Sequence, residues 1–167
     1  VDSQIITAGG KVEEPAIAPT RSGYVFDGWY TDENYTSEFD FDTAINEDTQ
    51  IYAKWLKEIT EIEITGIVAP IDGEMPNVSG ITTSTEGVTL GTVQWQYVDS
   101  HILNEAFEAG TQYMLFIQCK AEEGYQKANE VEYSVNITPE NKTITSGWIG
   151  LYYTAKLPTY TVTFNAN

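Results

Sequence analysis

The stretch Gly23-Tyr24-Val25-Phe26-Asp27-Gly28-Trp29-Tyr30 decides the fold of the first part of this chain, and a related run, Tyr52-Ala53-Lys54-Trp55, follows it. Two glycines and four aromatic residues within eight positions are typical of a short, turn-bounded strand whose rings form a miniature core. The interior glycine, Gly28, predicts a β-bulge or the close approach of another backbone. Because the stretch contains no nucleophile, base or cluster of metal ligands, it indicates architecture and not catalysis.

The composition describes a strand-rich and strongly acidic chain. Of its 167 residues, 41% are hydrophobic and 13% aromatic, which is enough for packed cores. Eight Lys and Arg stand against 25 Asp and Glu, so the formal net charge is −17. This charge repels nucleic acid phosphates and anionic membrane surfaces, and no apolar run is long enough to cross a bilayer. We therefore expect no nucleic acid partner and no membrane insertion of this fragment.

Cysteine chemistry is limited, because Cys119 is the single cysteine and an intramolecular disulfide is excluded. It ends an apolar run at 113–119, where a buried thiol behaves as a small hydrophobic group. A nucleophilic thiol needs a base, and His101 is the one histidine in the sequence. A buried, unreactive Cys119 is the favoured interpretation, and a Cys–His pair is the alternative.

The pattern of strands and turns divides the chain into three segments: 1–56, 57–158 and 159–167. The predicted strands lie at 4–7, 24–30, 49–56, 60–67, 88–98, 112–121, 130–137, 148–155 and 160–164. In the middle segment, strands at this spacing with turns between them predict an all-β sandwich of the Ig-like type. The aromatic residues assigned to the structural core of the first segment are Tyr24, Phe26, Trp29, Phe39, Phe41, Tyr52 and Trp55.

The first segment resembles the Listeria–Bacteroides repeat, also called the internalin B-repeat. The matching positions are Gly9-Gly10-Lys11-Val12, Pro15, Pro19-Thr20-Arg21-Ser22-Gly23-Tyr24, Phe26-Asp27-Gly28-Trp29-Tyr30, Phe39-Asp40-Phe41, Ile45 and Ile51-Tyr52-Ala53-Lys54-Trp55. The resemblance implies a small β-grasp-like domain, found in tandem on secreted or wall-anchored bacterial proteins. The middle segment more loosely resembles bacterial Ig-like domains that alternate with such repeats.

The resemblance also implies that the chain is a fragment of a tandem array. The family's repeat opens with a strand similar to Val-Thr-Phe-Asn-x-Asn followed by Gly-Gly, and nothing before Val1 supplies it. The run Val162-Thr163-Phe164-Asn165-Ala166-Asn167 has that appearance at the other end of the sequence. A β-grasp unit without its first strand would leave backbone groups unpaired at a sheet edge. We expect the strand at 160–165 to pair with a repeat-domain edge, either in its own chain or by exchange with a neighbour.

A group of carboxylates suggests a calcium site. Asp32, Glu33, Asp40 and Asp42 supply the hard oxygen ligands that Ca²⁺ prefers, although their spacing lacks the pattern of an EF-hand loop. Alternation gives the other interpretation, in which Asp40 and Asp42 face water. Calcium is the one cofactor that the sequence suggests.

Three aromatic residues of the middle segment are candidates for a ligand-binding platform. Trp148, Tyr152 and Tyr97 could stack on sugar rings, whereas a place in the hydrophobic core is the other interpretation. Tyr152 and Tyr153 must point to opposite sides of a strand, so one of the two is expected to be exposed.

Together these features predict a non-enzymatic module of a bacterial cell-surface or secreted protein, acting as a stalk, spacer or adhesion unit. Expected partners are neighbouring repeats and an unidentified host or glycan ligand. The expected location is extracellular, in association with the cell wall. The alternative is a carbohydrate-binding module appended to a secreted glycan-degrading enzyme.

Overall fold

The computed structural model describes residues 2–163, which divide into two compact units. The first unit ends at Glu58 and also includes Glu123–Gln126, while the second comprises Ile59–Glu122 and the chain from Lys127 onward. The described residues form strands and contain no helix, so the prediction of a mainly β chain is confirmed. The strands are β1 (Gly10–Lys11), β2 (Tyr24–Tyr30), β3 (Ala44–Ile45), β4 (Tyr52–Thr65), β5 (Thr82–Thr83), β6 (Val88–Tyr97), β7 (Gln112–Ala121), β8 (Tyr125–Val135), β9 (Asn141–Ile144) and β10 (Trp148–Thr154).

The first unit is built on two antiparallel strand pairs, β1 with β3 and β2 with the beginning of β4. The register between β2 and β4 shifts between Phe26 and Gly28, and Gly28 has a φ of 147°. Because a side chain is strained at this φ, glycine permits the bulge that its position in the sequence predicted. Next to the bulge, Asp27 Oδ2 lies 2.6 Å from Lys54 Nζ in an ion pair.

The core of the first unit is small and partly open. Phe26 contacts two indoles edge to face, Trp29 with a centroid separation of 5.2 Å and Trp55 with one of 5.6 Å. Among the described residues of this unit, Tyr30 is the buried hydrophobic side chain, at 7% exposure. The seven residues assigned to this core from the sequence are all half-buried: Tyr24, Phe26, Trp29, Phe39, Phe41, Tyr52 and Trp55.

The second unit contains two sheets. One has the strand order β6-β7-β10-β9, and in the other β4 pairs with β5 and β8. Residues 101–103 run along the edge of β6 that faces away from β7. There Leu103 N–H donates to Trp95 O at 3.0 Å, and Gln96 forms a bridge with Ile102. The four-residue strand β9 is the other edge of this sheet. This arrangement is consistent with the β-sandwich class.

The core of the second unit is closed. Ile62 and Ile64 of β4, Leu115 and Ile117 of β7, and Ile149 of β10 are all at 0% exposure. Burying each such side chain contributes about 1.5–3 kcal/mol relative to leaving it in water. These side chains lie at alternate positions of their strands, so one face of each strand supplies the core.

Four aromatic rings extend this core. Trp95 contacts Phe107 at 5.2 Å and Tyr153 at 5.8 Å between ring centroids, and Phe107 contacts Tyr113 at 5.0 Å. All three contacts in this group are near-perpendicular or steeply tilted, which is the favourable geometry for aromatic pairs. Trp95 and Tyr153 are therefore core residues.

Two strand predictions in the N-terminal half were wrong. The strands predicted at 49–56 and 60–67 are one continuous strand, β4, because no Gly or Pro interrupts the chain between them. Residues 4–7 lie outside any strand. There the Gln4 side chain accepts from Glu13 N–H at 3.0 Å and donates to Glu13 O at 2.7 Å, while Ile5 is fully exposed.

The predicted C-terminal strand is not formed over the part of it that the structure describes. Residues 160–163 are in no strand, and Tyr160 and Val162 are 84% and 73% exposed. The rest of the segment, 164–167, lies outside the described residues. The pairing of 160–165 with a repeat-domain edge therefore stays a prediction.

Candidate functional site

The candidate site is the outer face of the β6-β7-β10-β9 sheet, defined as the face opposite to the one that carries the buried Trp95, Leu115 and Leu151. Directly opposite residues of an antiparallel pair point to the same side of the sheet. The registers therefore place three rows of side chains on the outer face. These rows are Gln118 and Trp148; Gln94, Phe116, Gly150 and Thr143; and Gln96, Met114, Tyr152 and Asn141.

The Trp148 ring lies along the sheet and does not stand away from it. A Cβ added at Gly150, two residues on and on the same face, would lie 3.1 Å from Trp148 Cζ3 and 2.8 Å from Met114 Sδ. Trp148 is half-buried and its ring is tilted by only 33° from that of Phe116, at 5.2 Å between centroids. Gly150 thus provides the space in which the indole rests.

The centre of the outer face is uncharged. Apart from the apolar side chains, its three rows carry amides and hydroxyls, which both donate and accept hydrogen bonds. Charges stand at the two ends: Lys120 lies next along β7, and Glu140 accepts from Gln112 Nε2 at 3.1 Å and from Thr154 Oγ1 at 2.7 Å. The hydrogen bond from Thr154 is the main cause that holds the pKa of Glu140 below its ordinary value.

Tyr97 does not belong to the outer face. It pairs with Tyr113 on the side of the sheet that carries Trp95, and its hydroxyl donates to Glu105 Oε1 at 2.5 Å. This hydrogen bond, together with burial, raises the pKa of Tyr97 to about 12. The structure therefore brings Trp148 and Tyr152 together and separates Tyr97 from them, which corrects the predicted platform.

Two residues of the outer face, Phe116 and Gly150, were not predicted from the sequence. Phe116 lies in an uninterrupted apolar run, so composition does not show that it points away from its neighbours Leu115 and Ile117. Gly150 was read as part of an ordinary strand. Alternation along β7 and β10 gives the side of the strand on which each residue lies. It predicts that Phe116 and Gly150 are neighbours only once the register between the two strands is known.

The carboxylate of Asp32, one of the predicted calcium ligands, accepts hydrogen bonds within its own turn. It accepts from Asn34 N–H at 2.9 Å, from Thr36 N–H at 3.1 Å and from Thr36 Oγ1 at 2.7 Å. The Thr36 hydroxyl is the main cause that lowers the pKa of Asp32. These contacts are those of a side chain that stabilises a local turn.

The other three carboxylates of the predicted site have separate surroundings. Asp40 accepts from Asp42 N–H at 2.8 Å, Asp42 pairs with Lys11 at 2.7 Å, and Glu33 is exposed. Within residues 2–163 no group of three or more His, Cys, Asp or Glu is arranged to hold a metal ion. The structure does not bring the four predicted ligands into one site.

The thiol of Cys119 is buried at 1% exposure, and burial raises its pKa to about 11. His101 has a largely exposed side chain whose Nδ1 lies 3.0 Å from Asp99 Oδ1. A thiol with this pKa is almost fully protonated near neutral pH, so it is a poor nucleophile. The surroundings of both residues favour the interpretation of Cys119 as a core residue.

The turn and strand geometry of the first unit is that of a small module, and a family model identifies it. Residues 1–54 match the Listeria-Bacteroides repeat domain. This match confirms the resemblance of the first segment to that repeat family. The match covers β1, β2 and β3 and the first three residues of β4, 52–54.

Curated relatives match about a third of the chain. Two proteins of Evansella cellulosilytica, provisionally named as a membrane protein and as a Gly-rich membrane protein, are 41% and 40% identical to it over 58 residues. The matched region is 34% of this chain, 8% of the first relative and 6% of the second. No solved structure matches the chain. Among the described residues, no helix is long and apolar enough to span a membrane.

Proposed function

We propose that this chain is a non-enzymatic module of a secreted or cell-surface bacterial protein, in which it acts as a spacer or adhesion unit. The observation that carries the proposal is the repeat at residues 1–54, a surface-associated type of module. The names of the two relatives, which describe membrane proteins, support a place at the cell envelope. Association with the cell wall is part of the same proposal.

The second unit supports a structural role by its own construction. Its closed core and its two sheets suit a self-contained domain, which we assign to the Ig-like type, and we assign the repeat to the β-grasp-like type. The perturbed pKa values have local structural causes, such as the hydrogen bond from Tyr97 to Glu105 and the burial of Cys119. Perturbed groups at catalytic sites converge on a cleft, whereas these lie in separate surroundings.

The acidic surface suits a module displayed in many copies. A net charge of −17 produces repulsion between neighbouring chains, which keeps them soluble and apart. A spacer needs this property because unwanted association would collapse the structure that it supports.

The test uses the full-length parent protein in its own bacterium. An antibody against this chain should label intact cells, or detect the protein in the medium, without lysis. Labelling that requires lysis would contradict the extracellular location. Three strains then separate the roles: the wild type, a deletion of this segment, and a replacement by an unrelated β-sandwich of similar length.

Epitope tags placed before and after the segment report how well the flanking parts are exposed on intact cells. A spacer predicts that the deletion reduces antibody access to one tag and that the replacement restores it. An adhesion unit predicts that attachment of the cells is lost in both altered strains. If neither exposure nor attachment changes in either strain, the proposal fails.

Glycan binding, as in a carbohydrate-binding module attached to a secreted enzyme, is the second candidate. The observation that favours it is the shared outer face of Trp148 and Tyr152.

A further inference from the structure

We propose that the outer face of the β6-β7-β10-β9 sheet is a binding site for a neutral glycan, with Trp148 as the ring on which a sugar stacks. The inference deepens the second candidate function and does not depend on the spacer role. It names the site, the residue that shapes it and the chemical class of the ligand.

The shape of the face is the first argument. A pyranose ring presents C–H groups on its faces and hydroxyls around its rim, so it fits a flat apolar surface bordered by polar groups. Trp148 lies along the sheet over Gly150, and Phe116 continues the apolar surface at a tilt of 33°. Tyr152 stands in the neighbouring row on the same face. Trp148 and Phe116 are in contact, and Tyr152 lies opposite Met114 in the next row.

The polar border is the second argument. Gln94 and Gln118 flank the rings on the side of β6 and β7, and Thr143 and Asn141 flank them on the side of β9. Amides and hydroxyls donate and accept hydrogen bonds at once, as sugar hydroxyls do. Thr143 Oγ1 already lies 3.5 Å from the Tyr152 hydroxyl, so a polar group stands at the rim of the aromatic surface.

The absence of charged side chains from the three rows indicates the class of glycan. The three rows contain no charged side chain, although the chain as a whole carries a net charge of −17. A uronic acid or phosphate polymer would find a single cation, Lys120, at one end of the face and none among the three rows, and it would be repelled by the rest of the surface. A basic protein would be drawn to the acidic surface elsewhere. A neutral hexose or pentose polymer is the ligand that an uncharged face complements.

Affinity electrophoresis with the whole chain tests the proposal. The chain migrates strongly to the anode, so retardation is easily measured in native gels that contain hydroxyethylcellulose, laminarin, xylan or mannan, with polygalacturonate as the charged comparison. We expect retardation by at least one of the four neutral polymers and none by polygalacturonate. No retardation by any neutral polymer, or retardation by polygalacturonate alone, would overturn the proposal.

Variants locate the site. Trp148→Ala should weaken binding about tenfold or more, because it removes the stacking ring. Gly150→Ala keeps every ring but displaces the indole, and it should weaken binding several-fold. Tyr97→Phe, on the opposite face, is the matched control and should bind as the wild type does. Equal retardation of the wild type and Trp148→Ala would overturn the assignment.

A measurement without variants keeps the test independent of folding. Titration of the wild type with the retarding polymer, or with an oligosaccharide cut from it, should shift the indole N–H resonance of Trp148 and leave that of the buried Trp95 unchanged. An unchanged Trp148 resonance at saturating ligand would overturn the proposal. Display of the parent protein on intact cells is expected to be the same with Trp148→Ala, so this inference and the proposed surface role fail separately.

Discussion

Replacing Gly66 with alanine tests how the chain turns at the end of β4. Gly66 follows Thr65, the last residue of β4, and has a φ of 78°. A Cβ at this position would lie 1.8 Å from Gly80 O and 2.6 Å from Gly80 C. The obstacle is backbone and not the end of a flexible side chain, so the two segments must move apart to admit a methyl group.

The expected cost has two parts. Holding a residue with a Cβ in the left-handed region costs about 1–2 kcal/mol. Forcing extra volume into a packed contact costs about 1–3 kcal/mol more. Gly66→Ala should therefore lower the free energy of unfolding by about 2–5 kcal/mol. Gly73 is a matched control, since its φ is 79° and nothing lies within 4 Å of an added Cβ. Gly73→Ala should show only the cost of the left-handed backbone conformation, because no packed contact opposes its methyl group.

Urea unfolding followed by NMR measures both variants. The indole N–H of Trp95 reports on the unit that contains both glycines, because Trp95 is only 2% exposed in its core. With a slope of about 1–3 kcal/mol per molar urea, the midpoint for Gly66→Ala should fall by about 1 M or more, and by clearly less for Gly73→Ala. Equal shifts for the two variants, or a wild-type midpoint for Gly66→Ala, would refute the close approach to Gly80.

Two substitutions and one labelling experiment test other contacts. Asn136→Ala should lower the free energy of unfolding by about 1–3 kcal/mol, measured by urea denaturation, because Asn136 Oδ1 accepts from Ile67 N–H at 3.0 Å and Nδ2 donates to Ile67 O at 2.9 Å. Cys119 should resist iodoacetamide at about pH 8, measured by mass spectrometry, because burial raises its pKa to about 11. Glu140→Gln should lower the melting temperature near neutral pH but not in acid. The hydrogen bond from Thr154 depresses the folded pKa of Glu140, so its stabilisation is present above the unfolded pKa and is lost as the pH falls through the folded one.

Each of these three experiments has a control. Asn77→Ala removes an amide that accepts from Ser79 N–H in an exposed turn, and it should cost less than Asn136→Ala. Cys119 should react fully once the chain is unfolded in urea, and rapid labelling of the native chain would contradict its burial. Melting curves of Glu140→Gln and the wild type that stay apart at about pH 2 would contradict the role given to the carboxylate.

Local patterns in the sequence predict individual strands well. The predicted bounds of 24–30 and 112–121 are those of β2 and β7, because alternation and turn residues act within one strand. Burial in the first unit is harder to predict. The sequence supplies seven aromatic residues for its core, but a unit this small has too little interior to cover them, and they stay half-buried.

The outer face shows what local patterns leave undetermined. Trp148 and Tyr152 are two strand positions that alternation places on one side, and the sequence suggested both. Their relation to Phe116 and Gly150 depends on the register between β7 and β10, in which Trp148 lies opposite Gln118, 30 residues earlier in the chain (148 against 118). The grouping of Tyr97 with them was wrong for the same reason. The face of the sheet on which Tyr97 lies is set by its pairing with Tyr113, which the sequence does not show.

The two borders of the β6-β7-β10-β9 sheet affect how the chain behaves at high local concentration. Unpaired strand borders invite pairing between molecules and lead to aggregates. On one border, residues 101–103 already occupy hydrogen-bonding groups of β6. On the other, β9 is four residues long and carries the exposed Lys142. Each border is thus shortened as a template for strand pairing, so we expect copies held close together to remain separate molecules and not to grow into a fibrous deposit.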